Sequence, residues 1–357
     1  MKQLSISQLE VGMVLARDVY DPYRNHLLPE GTEITDEVLK ILNTLSITDF
    51  FVEGEDTSGA DPDSAEPSYA QRVKASPEFQ EFKKGYELQL DSFRQVINNV
   101  VEQNTRLDIK PLLQQALDIA TLGQDKTDLL TMLQNMKEYD DSTYAHCLNV
   151  ALLCNLFAGW LHYNQERIEL TTTCGLFHDL GKLLVPHEIL TKPAKLTDNE
   201  FEAIQKHPID GYCLLMNSGI NVHVQNAVLM HHERMDGSGY PLHKKGDEID
   251  KYARIVAIAD VYDAMTAVRV YRDAMCPFKV IEVFESEGFE KYDVEFLPII
   301  LGNIANTYIQ HRCRLSDGRE GTIIYINSEK LSRPMVQCDG QYVNLAEFTD
   351  LKVEKLL

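Results

Sequence analysis

The sequence predicts a mainly α-helical protein with a small α+β unit at its start and a short β-rich extension at its end. Three observations predict this. From about Pro77 to residue 310, apolar residues recur at steps of three and four, the period of a helix that buries one face. Before residue 53 and after residue 313, short apolar runs alternate with turn residues instead, which is a strand and hairpin pattern. Between the first unit and the helices lies a stretch rich in Gly, Ser, Pro, Asp and Glu, too polar to bury a core. The expected organisation is an α+β accessory domain over 1–53, a flexible acidic linker over 54–76, a helical connector over 77–134, a helical catalytic region over 135–312 and a β-rich extension over 313–357.

In the first unit, Val11–Ala16 reads as a strand, Asp21–Asn25 as a turn and Leu27-Leu28 as the start of a second strand. Thr35 is placed to cap a helix with Val38, Leu39, Ile41, Leu42 and Leu45 on its apolar face, and Phe50-Phe51-Val52 reads as a returning strand. No catalytic constellation is evident there, and His26 reads as a surface residue near a turn. After the linker, Phe79, Phe82, Tyr86, Leu90, Phe93, Val96, Ile97 and Val100 form one face of a long helix. That face suits either a homodimer seam within 77–134 or a strut against the next domain. A second helix follows Asp108. At the far end, Leu315–Gly321 is a turn before the strand Thr322–Ile326, and Asp339-Gly340 is a hairpin signal.

The catalytic region is organised around His178-Asp179-Leu180-Gly181-Lys182. A helical run, Leu170 to Leu180, delivers an imidazole and a carboxylate side by side. Gly181 is expected to stop the helix at positive φ, and Pro186 forbids its immediate continuation. Adjacent helical positions diverge by about 100°, which suits two ligands on one metal or a carboxylate between two. His146 lies upstream; His207, the pair His231-His232 and Asp260 lie downstream. Five histidines and two carboxylates in separate segments suffice for two metal ions. Lys182 compensates a helix end or a phosphate charge. Thr197 and Glu200 form a capping-box pattern. Val224, Ala227, Val228 and His231 share a helical face that turns His231 inward. Glu233 reads as a partner that orients an imidazole or as a solvated helix-end residue. In the loop 236–241 the glycines permit close backbone approach, and Tyr240 either faces a ligand or plugs the loop.

The segments HDLGK at 178–182, HHERMDGSGYP at 231–241 and DVYDAMTAVRVYR at 260–272 resemble those of the HD-GYP domain, a branch of the HD phosphohydrolases. The resemblance covers roughly residues 135–310. It implies an HD-type helical bundle and metal-dependent hydrolysis of bacterial cyclic dinucleotides, chiefly cyclic di-GMP, with cyclic GMP-AMP as a second substrate and linear dinucleotide or mononucleotides as products. It implies iron or manganese, with zinc and nickel also suited to this donor set. Asp179 then bridges two ions, His146, His178 and Asp260 complete one site, and His207, His231 and His232 complete the other. Asp179 and Lys182 carry the catalytic roles, and Lys182, Tyr240, Asp263, Arg269 and Arg272 meet substrate. In one straight helix Arg269 would face away from Asp260, so the helix must end near Ala267 for both arginines to turn back. Three-metal members carry a Glu four residues before the first His; Ser142 stands there, so two metals per chain are expected. The resemblance also suggests a diguanylate cyclase docking on the GYP loop.

Composition limits the rivals. Against 34 Lys and Arg stand 55 Asp and Glu, a formal net charge of -21, which argues against DNA or an anionic membrane as partner. No run reaches transmembrane length and no signal segment opens the chain, so a cytoplasmic protein without membrane insertion is expected. The seven cysteines lack CxxC pairing and read as reduced, with Cys154, Cys174 and Cys213 expected in the core. No nucleophile elbow or Cys/His pair supports covalent catalysis. Two other readings remain: a catalytically silent cyclic-dinucleotide sensor, and a phosphohydrolase of monomeric nucleotides.

Overall fold

The computed structural model describes residues 2–5, 12–16, 19–20, 26–28, 31–32, 34–35, 38, 49–52, 69–103, 108–122, 126–136, 143–192, 195–216, 218–267, 275–348 and 350–357. The chain divides into two compact units, Met1–Glu66 and Pro67–Leu357.

In the first unit, β1 (Lys2–Ser5) pairs antiparallel with β4 (Asp49–Val52), and β2 (Val19–Tyr20) with β3 (His26–Leu28). A further ladder joins residues 12–15 to 31–34 through Gly12 N–H to Ile34 O at 2.8 Å and Leu15 N–H to Thr32 O at 2.8 Å. It buries Leu15 and Ile34 completely. Val38 N–H donates to the Thr35 hydroxyl at 3.3 Å, the expected cap. Leu39, Ile41, Leu42 and Leu45 lie outside the described residues. His26 lies in β3, and β1 has no counterpart in the sequence reading.

The second unit begins earlier than the linker expectation allows. Residues 69–75 are helix α1 (Tyr69–Ala75), closed by Ser76, whose hydroxyl donates to Val73 O at 2.8 Å and accepts from Phe79 N–H at 3.1 Å. One serine thus ends α1 and caps α2 (Pro77–Gln103). Of the two readings of the apolar face of α2, the structure shows the strut, packed against the helices that follow. Phe79, Phe82, Tyr86, Leu90, Phe93 and Ile97 are buried in the same core as the later helices, with Phe93 edge-on to Phe177 at 6.0 Å. The Tyr86 hydroxyl donates to Asn149 Oδ1 at 2.7 Å. Residues 77–134 therefore belong to the body of the fold rather than forming a separate connector. α3 (Ile109–Leu122) and α4 (Lys126–Met136) complete this layer.

At the centre runs α5 (Thr143–Trp160), apolar and buried on almost every side, as a helix enclosed by others must be. Against it pack α6 (Gln165–Phe177) and α11 (Lys251–Thr266); α10 (Val222–Met230) packs on those two and α9 (His207–Leu215) on α10, with the short α7 (His187–Leu190) and α8 (Asp198–Gln205) leading into α9. Thr197 and Glu200 form the capping box of α8. α11 stops with Ala267 as its cap residue, where the sequence required it to stop. Cys154 and Cys174 are buried as expected; Cys213 is exposed, because α9 turns that face outward. Among the described residues no helix is long and apolar enough to cross a membrane.

Helices α12 (Pro277–Lys291) and α13 (Leu297–Thr307) lead into a five-stranded antiparallel sheet ordered β8-β7-β6-β5-β9, built from β5 (Arg312–Leu315), β6 (Glu320–Tyr325), β7 (Met335–Cys338), β8 (Gln341–Asn344) and β9 (Val353–Leu356). The turn between β7 and β8 places Asp339 at φ 47° and Gly340 at φ 76°, the hairpin geometry that Asp-Gly favours. Cys313, Leu315, Ile323 and Val336 bury the inner face of the sheet in the helical core. Glu282 of α12 accepts from both Arg333, at 2.8 Å, and Lys352, at 3.1 Å.

Gly181 does not take a positive φ. α6 ends at Phe177, and the chain continues as a 3-10 turn over Leu180–Leu184 before Pro186. The glycine is needed for a different reason: a Cβ there would lie 1.9 Å from His207 O and 2.6 Å from Gly211 N. Backbone meets backbone at that crossing, so neither side can yield cheaply. Gly181→Ala is expected to destabilise the fold by about 3 kcal/mol, the upper range for overpacking. It should also push α9 and His207 away from the HD segment. Urea unfolding together with metal analysis checks this; an unchanged midpoint with full metal content would disprove the tight crossing.

Candidate metal centre

Three imidazoles of the centre are placed by helix ends. The last carbonyls of a helix have no partner inside it, and three of them here accept from histidine. His178 Nδ1 lies 2.7 Å from Gly175 O at the end of α6. His207 Nδ1 lies 2.7 Å from Ile204 O at the end of α8. His231 Nδ1 lies 2.9 Å from Val228 O at the end of α10. A carbonyl can only accept, so each Nδ1 carries the proton and each Nε2 presents a lone pair inward. All three rings are fully buried.

These lone pairs converge on Asp179, which is also fully buried. Its Oδ1 lies 3.2 Å from His207 Nε2 and 3.6 Å from His231 Nε2. Its Oδ2 lies 3.4 Å from His178 Nε2, 3.5 Å from His146 Nε2 and 2.5 Å from Lys182 Nζ. One carboxylate oxygen thus faces each of two groups: Asp179, His207, His231 and His232 on one side, and His146, His178 and Asp260 on the other. Within each group the donor atoms lie within 4.8 Å of one another. His178 Nε2 and Asp179 Oδ1 are buried without a hydrogen-bond partner. Such atoms cost about 1–3 kcal/mol each when left unsatisfied, and a divalent cation at each group would satisfy them. The donor set of imidazole and carboxylate fits such ions.

The electrostatics are consistent with cation binding. Burial alone would raise the Asp179 carboxyl, but the Lys182 ammonium beside it holds it well below the usual carboxylate range. Asp260 is likewise held low against burial, chiefly by its hydrogen bond with His146. Burial pushes His231 down to about 4 and His232 well below its usual value, so both are neutral donors at pH 7. His146 differs: burial opposes its charge, yet Asp260 and Asp263 raise it to about 9.

Asp263 departs from the expectation that it meets substrate or Lys182. It is buried, and its Oδ2 accepts from His146 Nδ1 at 2.8 Å. Lying one helical turn beyond Asp260, it holds the His146 ring instead. The open side of the centre is bordered by His146, His232, Lys182 and the half-buried Tyr240, whose ring stacks on His232 at 4.7 Å. Arg269, Arg272 and Ser142 lie outside the described residues.

Glu233 is the residue that neither sequence alternative anticipated. It is 2 % exposed, so it is not solvated. Its carboxylate accepts from Leu242 N–H at 2.6 Å and Lys244 N–H at 3.0 Å, across the GYP loop rather than onto an imidazole. Tyr240 N–H donates to His232 O at 3.2 Å. A Cβ on Gly239 would lie 2.4 Å from Glu233 Cα, so only glycine lets the loop return this close. The Tyr240-Pro241 peptide is cis.

A family model described as an HD domain matches residues 130–296. Over that stretch the chain is similar to an HD domain. A cyclic di-GMP phosphodiesterase of Pseudomonas aeruginosa is 32% identical over 209 residues, 58% of this chain and 50% of that protein. A 3'3'-cGAMP-specific phosphodiesterase of Vibrio cholerae is 40% identical over 168 residues, covering 46% and 39%. A cyclic di-GMP phosphodiesterase response regulator of Xanthomonas campestris is 38% identical over 151 residues, covering 41% and 40%. The chain spans half or less of the length of these curated relatives.

Glu233 makes a prediction that metal ligation does not. Glu233→Ala should free the 236–245 loop, since two charged hydrogen bonds of about 1.5–3 kcal/mol each are lost. Metal content should stay unchanged. Limited proteolysis within the loop, run beside metal analysis, tests this; a loop as resistant as in the parent would overturn the clamp.

Proposed function

We propose that this protein hydrolyses a bacterial cyclic dinucleotide in a metal-dependent reaction, with cyclic di-GMP as the first substrate and cyclic GMP-AMP as the second. The observation that carries this reading is Asp179, with one oxygen toward each of two buried donor groups. The names of the relatives supply the substrate class, since they are phosphodiesterases of these dinucleotides.

When bound, two divalent ions, iron or manganese, would supply Lewis acidity to the phosphodiester and lower the pKa of water. His146, His178 and Asp260 would hold one, His207, His231 and His232 the other, and Asp179 both. This chain's own groups do the rest. Lys182, charged and 23% exposed at its side chain, places an ammonium beside the open face for a phosphate oxygen. Asp263 keeps His146 in position, and Tyr240 forms one wall against the substrate. Burial of the three helix-end histidines excludes bulk water from the back of the site. The seven free cysteines, with Cys154 pushed up by burial and inert as a thiol, support a reducing cytoplasmic setting.

Asp179→Ala should abolish hydrolysis of cyclic di-GMP and lower metal content while the protein stays folded. Product chromatography and elemental analysis on anaerobically purified protein test it, with about two ions per chain expected in the parent. Normal turnover with metal retained would refute the bridging role.

Arg269→Ala and Arg272→Ala should each raise KM for cyclic di-GMP by a factor that corresponds to about 1.5–3 kcal/mol for a charged hydrogen bond, without loss of metal. Unchanged kinetics in both variants would remove the arginines from the substrate site.

A further inference from the structure

A cavity of about 320 Å³ is lined by α11, α12 and the start of the GYP loop, a size at the small end of small-molecule sites. Val261 and Met265 of α11 and Val283 of α12 contribute to its apolar wall. All three keep part of their surface exposed, so the chain leaves this wall partly uncovered. Arg234, Lys291, Glu287 and Tyr292 are the polar lining. None of these residues belongs to either metal-donor group.

Arg234 stands apart from the other partly buried arginines. The chain has 55 Asp and Glu against 34 Lys and Arg, and Arg254 and Arg333 pair with Asp293 at 3.0 Å and with Glu282 at 2.8 Å. Arg234 is also partly buried, yet among the described residues it has no carboxylate partner. Its guanidinium lies 4.9 Å from the centroid of Tyr292, a cation–π contact, and its Nη1 donates to Glu233 O at 3.3 Å. A guanidinium carries five N–H donors, so these contacts fix it in place and leave both its charge and most of its donors unmatched. Lys291 adds a second cation. Its pair with Glu287, at 3.3 Å, joins two exposed side chains, and such a pair is weak.

We propose that this cavity is an effector site, distinct from the metal centre, for a small monocarboxylate with an apolar body. The carboxylate pairs with Arg234, whose fork of donors matches two carboxylate oxygens. The apolar body covers Val261, Met265 and Val283, and removing that surface from water supplies affinity. The site lies at the anchor of the GYP loop. Arg234 follows Glu233, whose carboxylate holds Leu242 N–H and Lys244 N–H, and Met235 N–H donates to Lys291 O at 3.0 Å. A ligand held by Arg234 against α12 therefore steadies the 236–245 loop. Occupancy requires neither a metal ion nor a dinucleotide, so the site stands whether or not the hydrolase reading holds.

Ligand-observed NMR on the zinc-loaded full chain compares benzoate with benzamide, its uncharged analogue of similar shape. Benzoate should bind saturably and about tenfold more tightly than benzamide, the low end for one charged hydrogen bond. Val283→Trp fills the cavity and should abolish benzoate binding; binding that survives in this variant places benzoate elsewhere, the metal ions included, and overturns the site. Arg234→Met should reduce benzoate to the affinity of benzamide. Lys291→Met alters an exposed side chain and keeps the backbone contact to Met235, so it decides the matter where Arg234→Met disturbs the loop. It should weaken benzoate and leave benzamide unchanged. Saturating benzoate should also slow amide hydrogen exchange across 236–245 in the parent. No saturable binding, equal affinity for the two probes, or unchanged exchange in the loop would overturn the effector site.

Discussion

A carboxylate buried without water needs positive charge or hydrogen-bond donors around it, and Asp179 has too few of either in the protein alone. Lys182 satisfies one oxygen, whereas Oδ1 has no hydrogen-bond partner. The surrounding imidazoles turn lone pairs toward it rather than N–H groups, because their protons are committed to helix-end carbonyls. Such an arrangement is expensive in an empty protein and favourable around cations. The rest of the helical unit follows from keeping it closed: α5 as an enclosed centre, α6, α8 and α10 ending at the same place, and Gly181 letting the HD segment touch α9.

Much of the helical architecture was legible because amphipathic period and burial coincide over 77–310. The seven donors were legible because they stand in doublets and in a family signature, and the structure gathers them into two groups about Asp179. What periodicity could not show is which way a ring is turned. The Nδ1 contacts of His178, His207 and His231 depend on where each helix stops, and sequence places such ends only to within a few residues. Asp263 was misplaced for the same reason: its helical phase was read correctly, but the depth at which α11 crosses α5 decides that it meets His146. Glu233 was missed because its partners are backbone N–H groups, which carry no residue signature. The one available signal was Gly239, whose close return implies an acceptor network beneath the loop.

Over 69–134 the sequence reading treated chain order as spatial order. Composition separates a linker and a connector, yet Val73 of α1 and the aromatic face of α2 pack on the same core as α5 and the terminal sheet. An amphipathic helix must bury its face against something, and the sequence does not say whether that surface belongs to the same chain. The net charge was similarly coarse. A total of -21 describes the whole chain and hides the ammonium of Lys182 set beside the centre.

The histidines differ in how they are held. Three are fastened to backbone at helix ends, whereas His146 leans on the Asp263 side chain and His232 on the ring of Tyr240. The centre therefore has a stiff rear wall and a compliant front. If one ion is exchanged for a larger one, or changes its oxidation state, the extra bond length is accommodated at the front, by rotation of side chains rather than by movement of helices. Such a motion would reach Tyr240 through its stack on His232.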